Sequence, residues 1–145
     1  ECEIVRLYLE MEAISHPNAF DWSIDICETA DCLIPQFVLQ PIVENSIVHG
    51  LDSRHTPMHI ALHAYMDDDE CITIIISYTG RGIRAEVLEA LNCFLRQGAP
   101  DVNCYFGMSY AYYRLLPYKA DCPPMIIESQ NGGGTVITIR YKIII

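Results

Sequence analysis

Two runs of alternating residues, Met58–Met66 and Cys71–Tyr78, are separated only by Asp67-Asp68-Asp69-Glu70. That pairing constrains the chain more than any other feature. Apolar residues at every second position describe a pleated strand with one buried face. A link this short folds the two strands back on each other as a hairpin. An isolated hairpin is marginal in water, so other elements must cover its apolar face. Four consecutive carboxylates at a turn point in divergent directions, so the run reads as a solvated loop and not as a cation site.

The covering elements are legible from a change of period. Ile4, Leu7, Tyr8 and Met11 follow i, i+3, i+4, i+7 and predict a helix over Ile4–Ile14, with Arg6 and Glu10 able to pair on its outer face. His16-Pro17-Asn18 ends it. Trp22–Cys27 alternates and reads as a half-buried strand. Within Gln36–Gly50, Leu39, Ile42, Val43 and Ile47 form an apolar stripe, Asn45 and His49 share another face, and Gly50 is a natural stop. Pro41 fits near a helix start or a kink. Val87, Leu88, Leu91 and Leu95 mark a helix from about Arg84 to Arg96, and residues 97–105 read as a loop. Met108, Ala111, Tyr112 and Leu115 mark another helix, ended by Pro117. Met125–Ser129 and Thr135–Ile143 are strands joined through Gln130-Asn131-Gly132-Gly133-Gly134. This order predicts an α/β two-layer sandwich: a mixed, mostly antiparallel sheet with helices on one face. It lacks the strict β-α-β alternation and the G-x-G-x-x-G of a dinucleotide-binding fold.

Composition narrows the class of function. The 145 residues hold 9 Lys+Arg against 19 Asp+Glu, a net charge of −10, with 51% hydrophobic residues. Global disorder is excluded, and so acidic a chain without a basic patch repels nucleic acid and anionic membranes. No apolar run approaches the ~18–20 residues that span a bilayer. The N-terminus, Glu-Cys-Glu-Ile, carries neither a signal-peptide pattern nor an initiator Met, and the chain is expected to be a single domain over 1–145, cut from a longer protein. Seven cysteines (Cys2, Cys27, Cys32, Cys71, Cys93, Cys104, Cys122) include no C-x-x-C pair, so reduced thiols are expected rather than a disulfide framework or a zinc site.

Three places could carry chemistry. Asn is a poor helix-interior residue, so Asn45 beside Glu44 is either part of a solvated helix face, the simpler reading from spacing alone, or a hard oxygen ligand suited to Mg²⁺. Gly80-Arg81-Gly82-Ile83 is either an ordinary strand-to-helix turn or a backbone that approaches an anion closely. Gly107 precedes a helix whose N-terminus could face phosphate. Histidines add little. His59 and His63 share a strand face, but four residues of strand set them roughly 13 Å apart, too far to hold one metal ion.

Taken together, the order and spacing of these places resemble a known family. Leu39-Gln40-Pro41-Ile42-Val43-Glu44-Asn45-Ser46-Ile47-Val48-His49-Gly50 resembles the N box of the LytS/YesM-like sensor histidine kinases, close to L-Q-P-L-V-E-N-A-I-x-H-G. Tyr8-Leu9-Glu10-Met11-Glu12 resembles the family's Y-L-x-I-E helix. Gly80-Arg81-Gly82-Ile83 resembles the second half of D-N-G-x-G-I. Gly107-Met108 with Arg114-Leu115 resembles G-x-G-L-x-N…R-L, and Ser129 through Thr135 resembles the closing S…G-G-G-T hairpin. The resemblance implies a GHKL (Bergerat) fold with ATP and Mg²⁺ between the helical layer and a lid. Asn45 would bind the metal, and Glu44 and His49 would act near the phosphates. Gly80 and Gly82 would shape the adenine end, with Thr135 near the base. The lid would lie within Leu95–Phe106, and Gly107 would begin the phosphate-facing helix.

The family's adenine-binding Asp is replaced here by Tyr78 and the following Asn by Thr79. Tyr105 and Tyr110 stand where the lid motif has Gly and Asn. A phenol pointing inward would fill the space of the base, so the expectation is a retained magnesium side and an eroded adenine side. None of the histidines suits the phosphoacceptor role, which the family places in an upstream dimerisation domain. The implied partners are that domain, a response regulator and a second copy in the parent, itself expected in the inner membrane with this domain in the cytoplasm. Two functions stay open: a catalytic domain passing the γ-phosphoryl to a partner His, or a pseudokinase module acting by docking. The N box argues against an anti-sigma-type serine kinase.

Overall fold

The computed structural model describes residues 1–30, 33–51, 57–97, 106–130 and 132–144. In chain order these form α1 (Cys2–Ser15), β1 (Phe20–Ile26), a 3-10 turn (Glu28–Ala30), α2 (Leu39–Gly50), β2 (Met58–Met66), β3 (Cys71–Tyr78), α3 (Ala85–Gln97) and α4 (Phe106–Leu115). A second 3-10 turn (Leu116–Tyr118), β4 (Met125–Gln130) and β5 (Gly134–Lys142) complete the order. The strands make one sheet, β1-β2-β3-β5-β4. Only β1 and β2 run parallel, joined through α2, and the other pairs are antiparallel.

The core lies between α2 and the central strands. Ile42, Val43 and Ile47 meet Ile74 and Ile76 of β3 and Ile137 and Ile139 of β5, all buried. Each such side chain contributes about 1.5–3 kcal/mol over its exposed state. The first turn of α2 leaves backbone N–H groups without helical partners. The Glu1 carboxylate, from the start of α1, accepts from Phe37 N at 2.7 Å and Leu39 N at 3.1 Å. Pro41 sits in that first turn, where its missing N–H costs nothing.

Three expectations need correction. The α1 stripe that signals the helix is not its buried face. Val5 and Leu9 pack on the core, while Ile4, Leu7, Met11 and Ile14 are 43% to 81% exposed. The helix carries two apolar stripes, and periodicity alone cannot choose between them. Arg6 pairs with Glu3 at 3.6 Å, one turn the other way from Glu10. Nor is the acidic turn simply solvated. Asp67 Oδ1 accepts from the backbone N–H of Asp69 and Cys71, both at 3.0 Å, and Oδ2 accepts from Arg140 Nε at 2.6 Å. Arg140 Nη2 reaches Asp69 at 2.8 Å.

Arg140 and the two N–H groups pull the Asp67 carboxyl down to about 2, against partial desolvation, with the Arg140 hydrogen bond the largest cause. A carboxylate depressed in the folded state contributes stability that is complete above its ordinary value of about 4 and is lost as pH falls through the depressed one. The acid limb of stability between about pH 4 and pH 2 should therefore flatten in Asp67→Asn, measured as the urea midpoint against pH. An unchanged slope would remove Asp67 from the account.

On the opposite face of the sheet, His59 and His63 are exposed and pair with Asp21 (2.5 Å) and Asp25 (3.0 Å) of β1. Cys2, Cys27, Cys71, Cys93 and Cys122 are free thiols, and Cys32 and Cys104 lie outside the described residues. Among the described residues no helix is long and apolar enough to cross a membrane.

Candidate functional site

α2 is amphipathic in an unusual way. Its apolar stripe packs on the sheet, while the flank facing α4 carries Pro41 and Asn45. Gly107, in the first turn of α4, sits so close to this flank that an added Cβ would lie 2.9 Å from Pro41 Cβ and 3.5 Å from Asn45 Nδ2. The spacing-based picture of Asn45 on a solvated face is thus overturned. Among the described residues, Asn45 Nδ2 is the one buried side-chain nitrogen or oxygen with no hydrogen-bond partner. Such an orphan costs about 1–3 kcal/mol. A half-turn of the amide presents Oδ1 to the same space, where a hard cation would be satisfied. This corner therefore fits the magnesium and phosphate end of the implied ligand.

If the amide is held there for a ligand, the ligand-free chain carries its cost. Asn45→Leu should then raise the stability of the nucleotide-free chain by about 1–2 kcal/mol, a few degrees in Tm. A drop in Tm would mean that the amide already has its partner.

Glu44 and His49 flank Asn45 along α2. Glu44 accepts from Gln40 Nε2 at 2.9 Å. Burial, then Glu12 and Glu44, push the Tyr8 hydroxyl up to about 12. The His49 ring is shifted down by partial burial and then by the Arg81 guanidinium, which favours its neutral form. The His49 carbonyl accepts from Arg81 Nε at 2.5 Å, tying the end of α2 to the loop after β3.

That loop is shaped by two close approaches. Gly80 (φ +141°) runs under the end of α2, and a Cβ there would be 2.7 Å from Gly50 O. Gly82 (φ +73°) lies against the end of β4, and an added Cβ would overlap Gln130 O. Ser129 Oγ accepts from Ile83 N at 2.7 Å, donates to Gly134 O at 2.8 Å and lies 2.9 Å from Thr135 Oγ1. Gly132 N donates to Arg81 O at 2.6 Å. Loop and hairpin thus form one unit, with Thr135 buried within it.

Tyr78 is the last residue of β3, on the face that carries Ile72, Ile74 and Ile76. It is paired with Ile60 and Thr135 and only 5% exposed. Its ring points inward to the end of α2: a Cβ on Gly50 would lie 3.1 Å from ring atoms Cδ2 and Cε2 and 3.0 Å from Met58 Sδ. Thr79 Oγ1 accepts from His59 N at 2.9 Å, which fixes the register where β3 ends. The position at which the resemblance would put an adenine-binding Asp thus holds a buried aromatic body, not a carboxylate.

The structure therefore brings Asn45 and Gly107 together at one end of α2, and Tyr78 and Gly80 at the other. Gly82 and Thr135 gather around Ser129. Tyr110 is exposed on α4, and Tyr105 lies outside the described residues. Of the lid expected within Leu95–Phe106, residues 95–97 finish α3, Phe106 opens α4, and the rest lies outside the described residues. Sequence reasoning missed Gly50 as the seat of the Tyr78 ring. It missed Ser129 as the joint between loop and hairpin, although S…G-G-G-T was the available signal.

No protein-family model matches the chain. Individual relatives do. The sensor protein LytS of Staphylococcus epidermidis is 36% identical over 98% of this chain and 24% of its own length. The sensor histidine kinase YesM of Bacillus subtilis is 31% identical over 62% of this chain and 16% of its own. The chain thus spans about a quarter or less of these relatives. Among solved structures, the histidine kinase domain of the Erythrobacter litoralis blue-light activated histidine kinase superposes with a TM-score of 0.63 at 14% identity, covering 95% of this chain and 58% of that one. The catalytic domain of histidine kinase ThkA gives 0.64 at 16% identity, over 97% of this chain and 90% of that one. These superpositions establish the fold. Over nearly its whole length the chain is related to the LytS/YesM-like sensor histidine kinases, and its fold is the GHKL fold of histidine kinase catalytic domains.

Proposed function

We propose that this domain serves a two-component sensor kinase as a module whose magnesium side is retained and whose adenine side is closed by Tyr78. On this reading Mg·ATP binds weakly or not at all, and the domain acts by docking on the dimerisation and phosphoacceptor domain of its parent. The observation that carries the reading is the burial of the Tyr78 ring against Gly50. Mg·ATP, where a domain of this family binds it, supplies the γ-phosphoryl group for a partner His. In this chain Asn45 would hold the metal, Gly107 would keep the start of α4 close to it, and Glu44 and His49 would border the phosphates. By the same family reading, a second copy in the parent, a response regulator downstream, and an inner-membrane parent with this domain in the cytoplasm complete the proposal.

The competing reading is an active catalytic domain, and the orphaned Asn45 amide favours it, because an unsatisfied buried group is retained at a stability cost. A melting curve separates the two. A ligand at a hundred times its Kd stabilises by about 2.7 kcal/mol, roughly 5–10 °C for a domain of this size. The expected result is no rise in Tm at millimolar Mg·ATP. A rise of that size overturns the proposal and makes the chain a nucleotide-binding kinase domain.

A further inference from the structure

A second cleft, of about 370 Å³, lies between the last turn of α3 and the segment that runs from the 3-10 turn at Leu116–Tyr118 to Pro124, with no residue of α2 in its lining. Its volume is at the low end for small-molecule sites. Leu95, Leu116, Pro123 and Pro124 make its apolar walls. Its polar groups are Arg96, Lys119, Asp121 and Tyr112.

Among the described residues these polar groups have no ion-pair or side-chain hydrogen-bond partner, in a chain rich in carboxylates. Carboxylates outnumber cations by about two to one. Arg6 and Arg140 are ion-paired, and Arg81 and Arg114 donate to backbone carbonyls. Arg96 and Lys119, like Arg84 and Lys142, form no ion pair among the described residues, and Arg96 and Lys119 share one cleft with Asp121. Tyr112 is 5% exposed, packed on Phe94 with ring centroids 5.4 Å apart, and its hydroxyl has no hydrogen-bond partner among the described residues. Tyr112 lines the cleft. Burial, and then Tyr113, raise its pKa, so the hydroxyl remains a donor at neutral pH.

Two cations against one carboxylate leave a single excess positive charge. That charge suits a monoanion, and Asp121 disfavours a dianion such as a phosphate monoester. The apolar walls call for a carbon body of modest size. We propose that this cleft binds a small organic monocarboxylate, its carboxylate held by Arg96, Lys119 and the Tyr112 hydroxyl and its carbon body lying on Leu95, Leu116 and Pro123. The site is separate from the α2 corner and does not depend on whether nucleotide binds there.

Benzoate is the probe, titrated into the ¹⁵N-labelled chain at constant ionic strength and followed by amide chemical shifts. Benzylamine supplies the same ring with the opposite charge, and phenyl phosphate the same ring with a second negative charge. Saturable shifts are expected at Arg96, Lys119 and Ala120 with benzoate. Benzylamine should give none, and phenyl phosphate should bind more weakly. The pair Arg96→Gln with Lys119→Gln should weaken benzoate at least tenfold. Tyr112→Phe, which keeps the ring packing and the fold, should weaken it several-fold. Non-saturable shifts, equal binding of benzylamine, tighter binding of phenyl phosphate, or a double variant that binds benzoate like the native chain would each overturn the assignment.

Discussion

Tyr78→Asp combined with Thr79→Asn will give the domain a melting temperature that rises with Mg·ATP, which the native chain is expected to lack. The ligand-free variant should be less stable than the parent. Deleting a buried aromatic body costs about 3–5 kcal/mol, and the space it leaves lies between Gly50 and Met58 at the end of α2. The new carboxylate is poorly solvated until something donates to it. An adenine amino group is such a donor. Saturating ATP should therefore restore about 2.7 kcal/mol, roughly 5–10 °C. GTP, which presents an oxygen at that edge, should restore much less. Tyr78→Ala supplies the contrast. It opens the same space without the acceptor, so it should be destabilised like the double variant and gain little from ATP. A double variant that folds, by circular dichroism, yet melts identically with and without ATP would show that Tyr78 is not the obstacle. The lesion would then move to Tyr110 or Tyr105.

The parts of this domain that could be read from sequence are those set by local chemistry. Met58–Met66 and Cys71–Tyr78 emerge with the bounds expected of them, because alternation fixes a strand and the acidic turn fixes both of its inner ends. The direction of the Tyr78 ring stayed open in the sequence, and the structure puts it on the side of Ile72, Ile74 and Ile76, against the end of α2. What could not be read depends on residues far apart in the chain. Asn45 looked like a surface residue because its own helix says nothing about Gly107, which buries it. Asp67 looked solvated because its partner, Arg140, is 73 residues away. The α1 face was ambiguous because Ile4, Leu7 and Met11 satisfy a helical period as well as Val5 and Leu9 do. In each case the pattern gave the element and tertiary packing chose its environment.

Gly82→Ala tests the part of the site that no ligand is needed to see. The glycine has φ +73°, a left-handed conformation that costs an L-residue about 1–3 kcal/mol. The added methyl would also meet Gln130 O well inside van der Waals contact, against backbone that cannot swing aside. Together these should lower stability by at least about 2–4 kcal/mol, a fall in Tm of roughly 5–15 °C. Two further variants separate the causes. Asn tolerates the left-handed region better than Ala. If backbone conformation alone mattered, Gly82→Asn would recover most of the loss, whereas the clash with Gln130 O predicts that it does not. Gly133→Ala, in the same hairpin, needs no left-handed backbone and meets Gln130 Cβ at 2.9 Å and Oε1 at 3.2 Å, a milder approach than the one at Gly82. Its loss should be the smaller of the two. The readout that ties stability to the site is hydrogen exchange at the Ile83 amide, which donates to Ser129 Oγ. Its protection should fall in Gly82→Ala more than protection in β3, because the loop must lift off the β4–β5 hairpin to admit the methyl. Uniform loss across the sheet would instead mean that the loop and the sheet unfold as one unit, and that Tyr78 has no local opening by which to leave the end of α2.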